Sequence, residues 1–223
     1  MVPLTRSDTV GIALAPGVGV GFARGDDRWS VATADPVALI AEAATADAPR
    51  WVWWGRETSD LLAGLPIDRC WDVATVHRFL HGTWKAPISV IWAVLQGLDP
   101  DSLPTMGQLD LLDAPVDEGD RDLPIRPDGH LRPEWIAGAF AETPDRLATW
   151  AGLALDAVGQ QILLLNRLPD PDRAHATARS ESAADLLCAE MTIAGLPIDV
   201  PEAERLISAS AGRRPRTSAE EDE

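Results

Sequence analysis

The sequence predicts an α/β domain in which strands come first and helices follow. The opening stretch TVGIALAPGVGVGFARGDDRWSVAT alternates apolar residues with a period of two. Pro16-Gly17 and Gly25-Asp26-Asp27 interrupt this alternation, so the stretch predicts a meander of two or three strands. Because short strands then alternate with segments of helical spacing, a layered α/β fold is favoured over a helical bundle or a sandwich.

The elements after the meander alternate between helices and strands. Asp35 is the expected N-cap of a helix that begins at Pro36, and RWVWWG is a short strand closed by Gly55. RETSDLLAGL predicts a brief helix, PIDRCWD a strand or extended turn, and VATVHRFLHG a helix that ends at Gly82. The predicted order is therefore ββ(β)αβαβα.

Helical spacing dominates the second half of the chain. PISVIWAVLQGL and PEWIAGAF predict helices, and a longer one runs through DRLATWAGLALDAVGQQILLLNRL until LPDPD interrupts it. Ser182 is the expected N-cap of the next helix, which Gly195 ends. Asp199 and Glu202 form a capping-box pattern for a last helix.

Composition limits the classes of partner. The chain has 223 residues and a formal net charge of -16, which argues against strong nucleic-acid binding, so any contact with DNA has to be local. The first residues lack an apolar signal core, and no segment has eighteen uncharged apolar residues, which predicts a cytoplasmic protein without a membrane partner. Cys70 and Cys188 are expected to be reduced core residues.

His77 and His81 are four residues apart, which places both imidazoles on one face of a helix. A metal site can use this spacing, but HRFLH lacks the glutamate of the HExxH motif and a third ligand is not evident. Partly exposed histidines on the helix surface are the favoured interpretation over a zinc site.

Two other motifs have simple structural interpretations. The glycines of GVGVG, residues 17–21, alternate within a strand pattern instead of opening a helix, so they predict a bend or close backbone approach and not a dinucleotide loop. Trp51, Trp53 and Trp54 could stack nucleobases, but a strand that is buried on both faces explains them more simply.

Several strings of the chain are similar to the amino-terminal portion of the actinobacterial bifunctional 3'-5' exonuclease/DNA polymerase proteins, which are DNA polymerase I-like (family A). The matching strings are spread over most of the chain: PRWVWWG, DRCWDVATVHRFLHG, DGHLRPEW, RLATWAGLALDAVGQQ and ARSESAADLLCAEMTIAGLPID. The resemblance implies a ribonuclease H-like exonuclease fold, a mixed sheet flanked by helices, followed by a short helical segment.

The same resemblance implies an organisation in three parts. Residues 1–170 correspond to a degenerate 3'-5' exonuclease-like domain, and residues 171–212 to a helical segment like the start of a family A polymerase domain. Residues 213–223 are expected to be a disordered, charged tail. The palm carboxylates of the polymerase are not part of this sequence.

The resemblance also implies the motifs of a proofreading site. In this family these are an Asp-x-Glu on the first strand, an Asp on a middle helix and a Tyr-x-x-x-Asp on a late helix. These carboxylates hold two metal ions that activate water. The first strands here contain no acid, Trp150 stands where the tyrosine is expected, and Ala154 follows four residues later. Helical spacing places Asp156 almost opposite the face that Trp150 and Ala154 share.

Three acids remain as weak catalytic candidates: Glu57, Asp72 and Asp156. Asp60, close to Glu57, is not in a convincing motif either, and the expected role of Asp72 is to cap a helix. We therefore expect no metal and no other cofactor. Magnesium or manganese would be required only if an active exonuclease used these relocated acids.

The leading hypothesis is a catalytically inactive exonuclease-like domain that serves as a scaffold or a weak DNA-positioning module. One alternative is an active metal-dependent 3'-5' exonuclease in DNA replication or repair. Another is an acidic protein-interaction module, because residues 110–128 hold seven acids against two arginines and are expected to form a loop. The expected partners are DNA, the rest of a polymerase chain, or another replication or repair protein.

Overall fold

A computed structural model describes residues 4–44, 48–104, 122–195 and 197–211. The chain divides into two units, Met1–Glu190 and Met191–Glu223. The predicted tail at 213–223 and most of the acidic segment at 110–128 lie outside the described residues. The described end of that segment is engaged in ion pairs, between Asp122 and Arg146 at 2.8 Å and between Asp128 and Arg126 at 3.1 Å.

The first unit contains a five-stranded mixed sheet with the strand order β3-β2-β1-β4-β5. The first three strands pair antiparallel, as predicted for the meander, and the last two run parallel to β1. The bounds are β1 Thr9–Ala15, β2 Gly19–Arg24, β3 Asp27–Ala32, β4 Arg50–Trp53 and β5 Cys70–Asp72.

Helices connect the parallel strands and cover the sheet. The first eight elements, β1β2β3α1β4α2β5α3, confirm the predicted order. Asp35 caps the first helix by accepting a hydrogen bond from the Ala38 N–H at 2.9 Å. The bounds are α1 Pro36–Ala43, α2 Arg56–Leu62, α3 Val73–His81, α4 Ile88–Gln96, α5 Pro133–Ile136, a 3-10 turn at Ala139–Ala141, α6 Pro144–Leu165, α7 Pro171–Ala194 and α8 Val200–Ala211.

Each face of the sheet buries its own apolar core. Trp51 and Trp53 lie in the core that contains the inner side chains of α1 and α2, whereas Val52 and Trp54 lie in the core that contains those of α6. This alternation confirms the prediction that the strand is buried on both faces. Burial therefore removes these three indole rings from any stacking with a ligand on an open surface.

Glycine allows α6 to lie directly against the sheet. A Cβ atom added to Gly21 would lie 2.0 Å from the Leu147 carbonyl carbon, and one added to Gly11 would lie 2.3 Å from the Ala151 carbonyl oxygen. Close backbone approach, predicted for the glycines of residues 17–21, is confirmed at Gly21, and α6 is the element that approaches.

The long helix α6 is also the one helix among the described residues that is long and apolar enough to cross a membrane. Its most apolar window is 56% buried within the protein, which is what a core helix shows. The burial of α6 is thus compatible with a soluble protein.

Two predictions about α7 are wrong. Ser182 does not cap this helix, because α7 already begins at Pro171; the Ser182 hydroxyl donates to the Ala178 carbonyl oxygen within the helix at 2.8 Å. Cys188 is exposed, whereas Cys70 is buried as expected. The buried positions of α7 are mainly small residues on a narrow stripe, and Cys188 falls outside that stripe.

Candidate functional site

A cleft of about 430 Å³ opens near the carboxyl ends of the parallel strands β1 and β4. Leu14 near the end of β1 and Trp54 just after β4 line it, together with Trp150 from α6 and Phe140 from the 3-10 turn. Open α/β sheets bind ligands outside the carboxyl ends of their strands. The cleft is therefore the candidate functional site that the topology favours.

Two arginines and one acid provide charge in the cleft: Arg56, Arg78 and Glu57. The Arg56 Nε donates to Asp60 Oδ1 at 2.5 Å, a bond that raises the pKa of the guanidinium. Glu57 occupies the first turn of α2 and is exposed.

Arg78 is held from two sides. Its Nη2 donates to the Thr75 hydroxyl at 2.6 Å and to Asp185 Oδ1 at 3.3 Å. Because Asp185 is a residue of α7, this ion pair joins α3 to α7 and orients the guanidinium that lines the cleft.

Asp72 is a structural carboxylate. It is 1% exposed, and its Oδ1 caps α3 by accepting the Thr75 N–H at 2.7 Å, which confirms the predicted role. Its Oδ2 accepts the Trp53 indole N–H at 3.0 Å and the Ser59 hydroxyl at 3.4 Å. Burial raises the pKa of Asp72 to about 6, with a further contribution from the charge of Asp185 and an opposing one from the Thr75 hydrogen bond.

Asp156 lies on the solvent side of α6, as predicted. Its side chain is 56% exposed and pairs with Arg28 of β3 at 3.7 Å. Trp150 and Ala154 are 2% and 0% exposed on the other side of the helix, which confirms the predicted inward face. Asp156 therefore points away from the face of α6 that carries the cleft residue Trp150.

The three candidate acids have separate surroundings. Glu57 lines the cleft, Asp72 is enclosed beneath α3, and Asp156 is bound to β3. In the part of the chain that the structure describes, no group of three or more His, Cys, Asp or Glu side chains could hold a metal ion.

The histidine prediction is half wrong. His81 is exposed as expected, but His77 is 1% exposed, because the amino-terminal part of α3 lies in the core. The two rings are 4.4 Å apart between centroids, and burial, followed by the charge of His81, lowers the pKa of His77 to about 4. His77 is therefore neutral at pH 7, and its Nδ1 has no hydrogen-bond partner among the described residues.

The loop between α3 and α4 contains a feature that sequence reasoning missed. Trp84 is 92% exposed, and the next residue, Lys85, is the only lysine of the chain. Ala86 and Pro87, which follow, line the cleft. The signal in the sequence was a tryptophan within a turn bounded by Gly82 and a proline, outside any apolar run.

Sequence and structure comparisons identify no relative. Neither the known protein families, nor the curated proteins, nor the solved structures contain a match to this chain. The chemistry of the cleft and of its rim is consequently the basis on which a function can be argued.

Proposed function

We propose that the chain is a non-catalytic, ribonuclease H-like exonuclease domain of a DNA polymerase I-like protein, and that it acts in the cytoplasm as a scaffold or a weak DNA-positioning module. Two features of the fold support this proposal. The sheet joins an antiparallel meander to parallel strands and is flanked by helices, as the sequence resemblance implies. Two further helices, α7 and α8, come after the sheet and α6 in the chain, as expected for the helical segment that the resemblance implies.

The observation that carries the proposal is that other residues of the protein engage two of the three candidate acids, Asp72 and Asp156, and that the third, Glu57, is separate from them. Both oxygens of Asp72 accept hydrogen bonds in the core, and Asp156 pairs with Arg28. Two-metal hydrolysis requires several carboxylates that converge on one solvent-accessible point. In the cleft at the end of the sheet, much of the lining is instead apolar, with residues such as Leu14 and Trp150.

Contact with DNA is assigned to the loop that contains Trp84 and Lys85. An exposed aromatic ring stacks on any nucleobase, and an adjacent cation attracts the phosphate chain. The net charge of -16 opposes a large interface with a polyanion, so we expect binding that is local and weak.

A nuclease assay tests the absence of catalysis. The purified chain is incubated with a single-stranded oligonucleotide labelled at its 5' end, in magnesium or in manganese, and the length of the product is followed on a denaturing gel. We expect the 3' end to remain intact. Metal-dependent shortening that is lost in Glu57→Gln or Asp156→Asn would overturn the proposal in favour of an active exonuclease.

A binding assay tests the DNA contact. Fluorescence anisotropy of a labelled oligothymidine should show weak binding that Trp84→Ala reduces by about fivefold or more, since one stacked base contributes about 1 to 3 kcal/mol. Leu187→Ala, which also truncates an exposed apolar side chain, is the control and should leave the affinity unchanged. Equal affinity of the Trp84→Ala variant and the wild type would exclude this loop as the contact.

A further inference from the structure

The cleft has the volume of a small-molecule site, and its walls are mostly formed by regular secondary structure as in such sites. Its volume of about 430 Å³ falls within the range of about 300 to 1,000 Å³ that is usual for ligand pockets. Strand ends and helices, not long loops, supply most of its walls. Sites built on such elements are positioned more precisely than sites built on loops.

One wall of the cleft is aromatic. Phe140 stacks on Trp150 with ring centroids 5.1 Å apart and planes inclined by 12°, and Trp54 lies 5.4 Å from Trp150. The Trp54 indole N–H donates to the Trp150 carbonyl oxygen at 3.2 Å, which fixes the two rings relative to each other. Trp54 and Trp150 are themselves only 4% and 2% exposed, so the partly exposed Phe140 and the small exposed parts of the two indoles form the surface against which a flat, apolar molecule can pack.

The remaining apolar surface comes from aliphatic side chains. Ile12 and Leu14 contribute it from β1, and Ile88 contributes it from the first turn of α4. Apart from the indole N–H groups of Trp54 and Trp150, Thr58 carries the one uncharged side-chain hydrogen-bonding group among the described residues that line the cleft. A ligand with many polar edges, such as a nucleobase, would therefore leave several of its groups without partners.

Two guanidinium groups in the cleft can contact an anion. Arg56 and Arg78 line it together with Glu57. Each guanidinium is oriented by a carboxylate, Asp60 for Arg56 and Asp185 for Arg78. A planar guanidinium donates in a fork that matches a carboxylate. The amino-terminal end of α4, where Pro87 and Ile88 line the cleft, adds a weak positive field.

We propose that the cleft binds a small aromatic acid, a flat apolar ring system that carries one carboxylate-like group. The ring packs against the wall formed by Trp54, Trp150 and Phe140, and the acidic group faces Arg56 and Arg78. This site does not depend on the proposed DNA contact, because Trp84 takes no part in it.

Calorimetric titration of the full chain with 1-naphthoic acid tests the proposal. The matched probes are 1-naphthalenemethanol, which removes the charge, 1-naphthylmethylammonium, which reverses it, and adenosine monophosphate. We expect the carboxylate to bind about tenfold tighter than the alcohol, because a hydrogen bond to a charged group is stronger than one between neutral groups. The cation should bind more weakly than either.

Variants locate the binding. Ala86→Phe places a ring in the cleft and should abolish binding of 1-naphthoic acid, with Ala86→Leu as the milder alternative if the larger residue prevents folding. Arg56→Gln and Arg78→Gln should reduce the preference for the acid over the alcohol. Ala176→Phe makes the same substitution at an exposed position of α7 and should have no effect.

Three results would overturn the assignment. The first is equal affinity for the acid and the alcohol, and the second is undiminished binding by a folded Ala86→Phe variant. The third is tighter binding of adenosine monophosphate than of 1-naphthoic acid, which would reassign the cleft to nucleotides. Because each measurement is made without DNA, failure here is distinct from failure of the Trp84 contact.

Discussion

At the scale of single residues, burial decides what each candidate carboxylate does. Asp72 and Asp156 are the same residue type, yet the first is 1% exposed and fixed by hydrogen bonds, while the side chain of the second is 56% exposed. Removal from water raises the free energy of the charged form of Asp72, whereas solvent screens the interaction between Asp156 and Arg28. The two acids should therefore respond differently to pH and to substitution.

Asp72 should make the stability of the protein depend on pH. Burial raises its folded-state pKa from 3.8 to about 6, so the folded chain binds this proton more tightly than the unfolded chain. The stabilisation of the folded state by this bound proton is complete below pH 3.8 and is lost as the pH rises through about 6. Relative to Asp72→Asn, the wild type should lose about 3 kcal/mol of unfolding free energy over this interval.

Urea unfolding of both proteins at a series of pH values measures this difference. Subtracting the Asp72→Asn curve removes the titration of groups that both chains share. The charge of Asp185, which also raises the pKa of Asp72, can be tested in the same way with Asp185→Asn. Parallel curves for the wild type and Asp72→Asn would show that Asp72 does not titrate in this window.

Asp156→Ala should change the unfolding free energy by less than about 1 kcal/mol, because exposed ion pairs contribute little. Its partner Arg28 also covers Gly152 of α6, so Arg28→Ala should cost more through lost packing. Thermal unfolding of the two variants provides the comparison. A larger loss for Asp156→Ala than for Arg28→Ala would contradict this assignment of roles.

At the scale of elements, the contact between β2 and α6 leaves no room for a side chain. Gly21→Ala should cost more than about 3 kcal/mol, because its Cβ would lie 2.0 Å from the Leu147 carbonyl carbon and the backbones would have to separate. Gly159, on the exposed side of α6, has open space, so Gly159→Ala should stabilise by roughly 0.5 to 1 kcal/mol. Chemical unfolding of both variants tests the pair, and a mild effect at Gly21 would contradict the close packing.

The buried side-chain amide of Gln161 attaches α6 to the edge strand β5 and to the start of α3. Gln161 accepts the Trp71 indole N–H at 2.8 Å and donates to the Val73 carbonyl oxygen at 2.7 Å. Gln161→Leu would leave the buried Trp71 indole N–H without this acceptor and would remove one hydrogen bond from the Val73 carbonyl oxygen, at a cost of about 1 to 3 kcal/mol. Gln160→Leu, at the exposed neighbouring position, should have almost no effect on the unfolding midpoint, whereas equal effects at the two positions would be inconsistent with this role.

At the scale of the whole molecule, the charge of -16 acts against compactness. Sodium chloride screens repulsion between exposed charges over about 10 Å at 0.1 M. The unfolding midpoint should therefore rise when sodium chloride is increased from near zero to about 0.1 M. Isolated pairs such as Arg28 with Asp156 are weakened by the same salt, so a fall in the midpoint would mean that attractive pairs outweigh the net repulsion.

Local sequence patterns were sufficient to predict the order of the elements up to α3 and the cap at Asp72. These features depend on neighbours within a few residues: an Asp followed by helix formers, or alternating apolar residues bounded by turns. The burial of His77, the hydrogen bond of Ser182 and the exposure of Cys188 differ from the sequence predictions for the opposite reason. Their burial and partners depend on which element packs over them, and this is not encoded by spacing alone.

The sequence by itself therefore determined the α/β character, the strand and helix order, the inward face of α6 and the acidity of the chain, because period, capping and charge are local or additive properties. Only the tertiary structure decided which carboxylates are enclosed and where a ligand could enter. The cleft joins residues from Ile12 to Trp150, and its aromatic wall and its paired arginines meet only after the sheet and α6 have packed together. Such convergence of distant residues is set by packing, which no short pattern contains.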